Sequence, residues 1–305
     1  MRHTYRVHRA NKRRLNHDYA SWILLVFSWA IALSTVLMIG HAVFFEEAST
    51  IEQSAPTVVE AFAANPETHL EISLNRYKAL KSLRNHQPTI LIYHTHTTEA
   101  YFQNPSGPYR ESSRWRTNDN TKNVVRVGEA LKEILEREYG FHVIHDITDH
   151  EPPKLSSSYD RSLKTMQKYH IQYPSIVLFI DLHRDAYQET ENPVDYLVIN
   201  GIETAKLMFV VGKGEKYTEK PFFETNRTLA QHMTEYLQSV DAKLARPVRI
   251  KSGRYNQQVS PNCILVEVGH NANTLEQALA AMPYFAESIA YAFTNDSEEA
   301  IWNPI

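Results

Sequence analysis

One cysteine, Cys263, stands in 305 residues, so no disulfide can form within the chain. Its neighbours read as a buried strand, which makes it a small core residue rather than a nucleophile. The absence of disulfides leaves the compartment open, since extracytoplasmic bacterial proteins often have none. No excess of either charge is present: the formal net charge is -3 and the pI is near 6.6. Nothing global therefore drives the chain toward nucleic acid or anionic surfaces, and any electrostatic argument must be local. Internal repeats and low-complexity tracts are also missing.

There is one long apolar run. Trp22 to Phe45 reads WILLVFSWAIALSTVLMIGHAVFF, interrupted only by Ser28, Ser34, Thr35 and His41. About 20 such residues span the hydrocarbon core of a bilayer as a helix. Arg2, Arg6, Arg9, Lys12, Arg13 and Arg14 precede it, and Glu46 and Glu47 follow. The positive-inside rule keeps the first 20 or so residues in the cytoplasm and puts the rest outside. A cleaved signal peptide is the competing reading. It is disfavoured because the run is long for an h-region and Ala61-Phe62-Ala63 lies far downstream.

The expected organisation is a basic cytoplasmic segment (1–21), a transmembrane helix (22–45), an extracytoplasmic linker (46–87), a catalytic domain (88–295) and a tail (296–305). Within the domain, strands and helices alternate. Strands are expected over Thr89–Tyr93, Phe141–Ile147, Ser175–Leu182 and Ile264–Val268. Helices are expected over Asn123–Tyr139, 158–170, 222–239 and Thr274–Phe293. Tyr196–Ile199, Asn200-Gly201 and Ala205–Val211 read as a hairpin. The pattern predicts an α/β fold: an open, mostly parallel, doubly wound sheet with helices on both faces and one antiparallel excursion.

Three strand ends carry chemistry. Thr89-Ile90-Leu91-Ile92-Tyr93 runs into His94-Thr95-His96-Thr97-Thr98-Glu99. Ile176–Ile180 runs into Asp181-Leu182-His183-Arg184-Asp185, and Cys263–Val266 runs into Glu267-Val268-Gly269-His270. In open α/β sheets ligands lie beyond the carboxyl ends of the strands, so these groups are expected to share one site. A catalytic zinc takes three His or carboxylate ligands and leaves the fourth position to water. His96, His183 and one carboxylate can supply them, with Glu99 the nearest candidate and His94 an alternative to His96. A second carboxylate must then move protons, and Glu267 qualifies. Arg184, or the loop residues Arg110, Arg114 and Arg116, can neutralise a substrate carboxylate or oxyanion. A bland reading stands beside this one: among 15 histidines one His-x-His is unremarkable, and Asp181, Arg184 and Asp185 can be a structural ion cluster. The coincidence of three strand ends favours a metal hydrolase.

Taken together, the motifs Ile92–Tyr101, Asp181–Ala186 and Val266–Thr274 resemble the stage II sporulation protein P family, peptidoglycan hydrolases that act during engulfment of the forespore. The likeness covers about residues 88–295 and the order of anchor, linker and domain. More remotely, the pattern is similar to zinc N-acetylmuramoyl-L-alanine amidases. The resemblance implies zinc-dependent cleavage of the amide between N-acetylmuramic acid and L-alanine, with a further endopeptidase action on cross-links. It assigns His96 and His183 as ligands, Glu267 as general base and Glu99 as third ligand; His270 stands where the family has a small or amide residue, and it either contacts substrate, with Asn273, or faces solvent. It also implies peptidoglycan as substrate, a single-pass location in the cell membrane, and an engulfment complex with a lytic transglycosylase and a membrane protein. A wall-binding scaffold without turnover and another metal hydrolase, such as a deacetylase, are the alternatives.

Overall fold

Strands that are apolar on both faces belong in the middle of a sheet covered from both sides. The computed structural model describes residues 88–104, 107–186, 195–215 and 221–294. In chain order its elements are β1 (Thr89–Tyr93), α1 (Val124–Tyr139), β2 (His142–His145), α2 (Ser158–Gln172), β3 (Ile176–Asp185), β4 (Tyr196–Ile199), β5 (Ile202–Ala205), β6 (Leu207–Gly212), α3 (Phe223–Val240), β7 (Arg249–Lys251), β8 (Cys263–His270), α4 (Leu275–Ala280) and α5 (Met282–Thr294). The most apolar strands, β1, β3, β8 and β6, lie at the centre of a six-stranded sheet of order β2-β1-β3-β8-β6-β7. Parallel pairing joins β2, β1, β3 and β8, while β6 runs antiparallel to β8 and parallel to β7. The expected mixed α/β fold with a mostly parallel sheet is present.

The antiparallel excursion differs from the expectation. β4 and β5 form a separate two-stranded ribbon through Asn200 and Gly201, at φ 52° and 82°, as its tight turn requires. The second strand of that hairpin is Ile202–Ala205, not Ala205–Val211. Leu207, Phe209 and Val211 pack into the main core and Met208 and Val210 into a cluster on the opposite face. A run apolar on both faces is drawn into the sheet interior rather than left on an exposed ribbon. The closing helix is also two helices, α4 and α5, because Pro283 has no N–H with which to continue the α4 ladder. Thr274 and Gln277 form a capping box at the start of α4.

The two faces of the sheet are covered unequally. Ile90, Ile92, Leu178, Ile180, Leu182 and Val266 pack on one side against Val127 and Leu131 of α1, Leu229 and Met233 of α3, and Phe285 and Ile289 of α5. On the other side Leu91, Tyr93, Phe179 and Cys263 meet Met166 of α2. Strand alternation therefore puts Asp181, His183 and Glu267 on the α2 face. The Trp22–Phe45 run, the basic segment before it, the 46–87 linker and the 296–305 tail lie outside the described residues. No described helix is long and apolar enough to cross a membrane.

Glu287 of α5 is buried, and its Oε1 has no hydrogen-bond partner. Burial pushes its carboxyl from 4.5 up to about 7, against the opposing hydrogen bond from Tyr236. The unfolded chain therefore gives up this proton first, and stability falls as pH rises from the unfolded value through the folded one. Glu287→Gln is expected to raise stability by on the order of 2–3 kcal/mol at pH 8 and by roughly nothing at pH 4. Urea unfolding at the two pH values checks this, and an equal gain at both would remove ionisation as the cause.

Candidate active site

Pairing across the sheet brings the polar residues together. His183 of β3 and Glu267 of β8 are register partners, and Tyr93 of β1 pairs with Asp181 of β3. Beyond Tyr93 the chain turns, and Asp181 holds that turn: the Thr95 N–H donates to its Oδ1 at 2.8 Å and the Thr95 hydroxyl to its Oδ2 at 2.7 Å. The turn delivers His96 against His183, with ring centroids 5.4 Å apart and planes at 79°. Glu99, at the end of the same turn, reaches back so that its Oε2 accepts from the Arg184 N–H at 3.2 Å and lies 3.3 Å from His183 Nδ1. The sequence motifs at the ends of β1 and β3 thus meet, with Glu267 on the adjacent strand.

The electrostatics follow from burial and neighbours. His183 stands between two carboxylates: its Nε2 is 2.8 Å from Asp181 Oδ1, without hydrogen-bond alignment, and its Nδ1 faces Glu99. Burial opposes a charge on this imidazole, but Asp181 and Glu99 outweigh it and hold its pKa well above the ordinary value. Glu99 is the converse case, since burial would raise it yet His183, Arg184 and His96 hold it at about 2. His96 falls to about 4 through burial and the charge of His183. Glu267 has no hydrogen bond to its buried Oε2, and burial pushes it up to about 8, Glu99 and Asp185 adding to the rise.

Several contributors gave no sequence signal. Glu151, from the loop after β2, accepts from Arg116 Nη1 at 2.5 Å and from the Thr98 hydroxyl at 2.5 Å, and stands 3.8 Å from His96 Nδ1. Arg116, one of the three loop arginines noted in the sequence, also lies 3.7 Å from Glu99 Oε1. Tyr159 of α2 meets the His96 ring edge-on at 5.8 Å, and Tyr255 meets Tyr159 at 5.6 Å. A tyrosine in the first turn of a helix or a glutamate beside two prolines carries no motif; only the tertiary fold brings them here.

Each nitrogen of the Arg184 guanidinium donates once. Its Nε donates to the Ala100 carbonyl at 2.9 Å, Nη2 to Trp115 O at 2.9 Å and Nη1 to Asp185 O at 3.3 Å. In this geometry the guanidinium braces the loop between β1 and α1. Asn273 closes the turn after β8, its Oδ1 accepting from the His270 N–H at 2.9 Å and its Nδ2 donating to Gln277 Oε1 at 2.9 Å. His270 is buried and accepts from the Ala272 N–H at Nδ1. Among the described residues, no group of three or more His, Cys, Asp or Glu is arranged to hold a metal ion. Asp181 and Glu99, which flank His183, favour positive charge at that ring, whether a proton or a metal ion supplies it.

Comparison with known proteins places these motifs. A family model, Stage II sporulation protein P (SpoIIP), matches residues 43–290. The chain belongs to the SpoIIP family. Stage II sporulation protein P of Bacillus subtilis (strain 168) is 27% identical over an alignment of 222 residues that covers 68% of this chain and 52% of that relative. The chain thus spans about half the length of that relative. Among solved structures, an N-acetylmuramoyl-L-alanine amidase from Clostridium difficile 630 aligns over 70% of this chain and 97% of its own, with a TM-score of 0.41 and 15% identity. The catalytic domain of CwlV, an N-acetylmuramoyl-L-alanine amidase from Bacillus (Paenibacillus) polymyxa var. colistinus, aligns over 68% and 96%, with a TM-score of 0.39 and 14% identity.

Of the two histidines in the first motif of this SpoIIP chain, it is His96 that lies beside His183. Both nitrogens of His94 are engaged elsewhere: Nδ1–H donates to the Leu182 carbonyl at 2.8 Å, and Nε2 lies 2.9 Å from His145 Nε2. Burial first, and then the charge of His145, lowers His94 to about 3, so it is a neutral tie between β1, β3 and β2. Gly128 in α1 makes room for it. A Cβ there would lie 2.7 Å from His145 Nε2 and 2.9 Å from His94 Nε2. Helix propensity favours Gly128→Ala by about 1 kcal/mol, but both rings are anchored and cannot retreat. The clash should win, with a net loss of roughly 1–3 kcal/mol by chemical denaturation. A stabilised variant would mean that the His94–His145 pair is loosely held.

Proposed function

We propose that this chain is a membrane-tethered, zinc-dependent peptidoglycan hydrolase acting in sporulation, and that it cleaves the amide between N-acetylmuramic acid and L-alanine of the stem peptide. Membership of the SpoIIP family supports the substrate class. One observation carries the chemistry: the His96 and His183 rings stand 5.4 Å apart, with Glu267 in register beside His183. Two imidazoles sharing one zinc at about 2 Å each have centroids about 5 Å apart. The buried His96 Nδ1 and Glu267 Oε2 lack hydrogen bonds. Such orphaned donors and acceptors are costly unless something meets them. The donor set suits zinc in chemistry, although the side chains as they stand do not converge on one point.

In this reading His96, His183 and Glu99 hold the ion. When bound, zinc would polarise the scissile carbonyl and acidify a water molecule. Asp181 fixes the turn that carries His96. Glu267 takes the proton from the attacking water and returns it to the departing amine, a role suited to a carboxyl that burial has moved toward neutral pH. Arg116, held by Glu151, keeps positive charge at the mouth of the site. The Trp22–Phe45 segment would anchor the chain with the domain outside. A linker of about 40 residues would let it reach wall tens of ångströms away. Cross-link cleavage, and a complex with a lytic transglycosylase and a membrane protein, belong to the same proposal.

The full chain is expected to release stem peptides from purified peptidoglycan, to stop when chelator is added, and to resume with zinc. Glu267→Gln should lower release at least a hundredfold while zinc content, read by elemental analysis, stays at the wild-type level. His96→Ala and His183→Ala should each lose the metal. Undiminished release by Glu267→Gln would remove it as the proton carrier, and a product short of an acetyl group instead of a peptide would make the enzyme a deacetylase.

A further inference from the structure

The rings beside Glu267 form a continuous wall. His183 meets His96 at 5.4 Å, His96 meets Tyr159 at 5.8 Å and Tyr159 meets Tyr255 at 5.6 Å, each contact edge-to-face. The series starts at a buried imidazole and ends at a half-buried tyrosine, so it runs from the chemistry outward toward solvent. Aromatic pairs in this arrangement hold one another's orientation as well as burying area.

The outer ring is held by an unusual loop. Tyr255 and Asn256, between β7 and β8, have φ of 52° and 56°. Left-handed backbone costs a residue such as Tyr255 roughly 1–2 kcal/mol; the adjacent Asn256 adopts it more readily through its short polar side chain. Such strain persists only where surrounding structure imposes it, and the imposing groups can be named. Asn256 Nδ2 donates to Tyr159 O at 3.0 Å and to Ser162 Oγ at 2.9 Å. Gln257 accepts from the Gly212 N–H and donates to Val210 O, both at 2.8 Å. Gly253 leaves space for the ring, since a Cβ there would lie 2.8 Å from Tyr255 Cε2, while Gly212 lets the loop backbone approach, since a Cβ there would lie 2.3 Å from the Gly253 carbonyl oxygen and 2.9 Å from Tyr255 Cδ2. Tyr255 also packs with Tyr159 against the Met208, Val210 and Leu265 cluster, yet two adjacent left-handed residues and four side-chain hydrogen bonds fix its half-buried ring more tightly than a connection from β7 to β8 requires.

We propose that Tyr255 is a substrate-contacting residue, its ring packing against an apolar C–H face of the sugar–peptide substrate next to the scissile amide. The inference rests on the hydrolase reading above and extends it to the wall of the site. Tyr159 is then a positioning residue, fixing the Tyr255 ring on one side and the His96 ring on the other.

The test is binding without turnover. The full chain carrying Glu267→Gln is co-sedimented with intact, insoluble peptidoglycan, alone and combined with Tyr255→Phe, Tyr255→Leu or Tyr255→Ala. An aromatic platform predicts that Phe keeps the affinity within twofold while Leu and Ala lower it about tenfold. Leucine retains apolar bulk, so its loss of binding with an unchanged thermal midpoint separates contact from folding. Equal binding by the Leu and Phe variants would overturn the proposal, whatever the Ala variant does. Failure of Tyr255 variants while the wild-type chain still releases peptide condemns this inference alone. Absence of both release by the wild type and binding by the Glu267→Gln parent overturns the hydrolase reading and this inference with it.

Discussion

Asp181 is the constraint on which the site depends. Its carboxylate is almost wholly buried, and a buried charge is tolerable only when hydrogen-bonded and paired. Thr95 supplies two hydrogen bonds and His183 the opposite charge. His183 shares β3 with Asp181 while Thr95 lies just beyond β1, so satisfying one carboxylate fixes the path of the chain out of β1 relative to β3. His96 and Glu99 ride on that path. Their approach to His183 is a consequence of electrostatic necessity at Asp181 rather than of any preference of their own.

The unequal cover of the sheet gives this constraint its setting. One face carries most of the helices and the large apolar core; on the other, α2 is the helix that packs over the centre. α2 also ties the site together. Ser162 lies 2.8 Å from the Thr95 hydroxyl and takes the Asn256 amide, so the turn after β1 and the loop after β7 meet at one hydroxyl. Position on a helix makes this coupling rigid, since helix geometry fixes Ser162 relative to Tyr159 three residues earlier.

Much of this was legible in the residues because burial leaves a plain record. β1, β3 and β8 are apolar runs, and a carboxylate or imidazole following such a run is conspicuous. The choice between His94 and His96 was not legible. Residues two apart in a strand share a side, and only the turn imposed by Asp181 parts them, sending His94 to Leu182 and His145. Glu151, Tyr159 and Tyr255 were invisible for a related reason: each reaches the site from a loop or a helix start through long-range packing, which no local pattern encodes. The hairpin misread came from the same limit. Leu207–Gly212 looks like a ribbon strand beside Asn200-Gly201, and only competition for the sheet interior pulls it to β8.

Glu99 and Glu267 have the same chemistry and share one neighbourhood, yet they sit at about 2 and about 8. The difference is partnership. Glu99 has a backbone N–H from Arg184, the His183 imidazole and the nearby Arg116 guanidinium, so its negative charge is met on every side. Glu267 is buried without a hydrogen bond at Oε2, and the fixed charge of Glu99 works against its ionisation. Two carboxyl groups driven apart in this way are suited to different tasks, one to remain an anion and the other to exchange a proton. In the proposed mechanism that division matches a ligand and a proton carrier. It also makes the assignment directional: exchanging the roles would require stripping Glu99 of its partners and supplying them to Glu267, against the register that β3 and β8 impose.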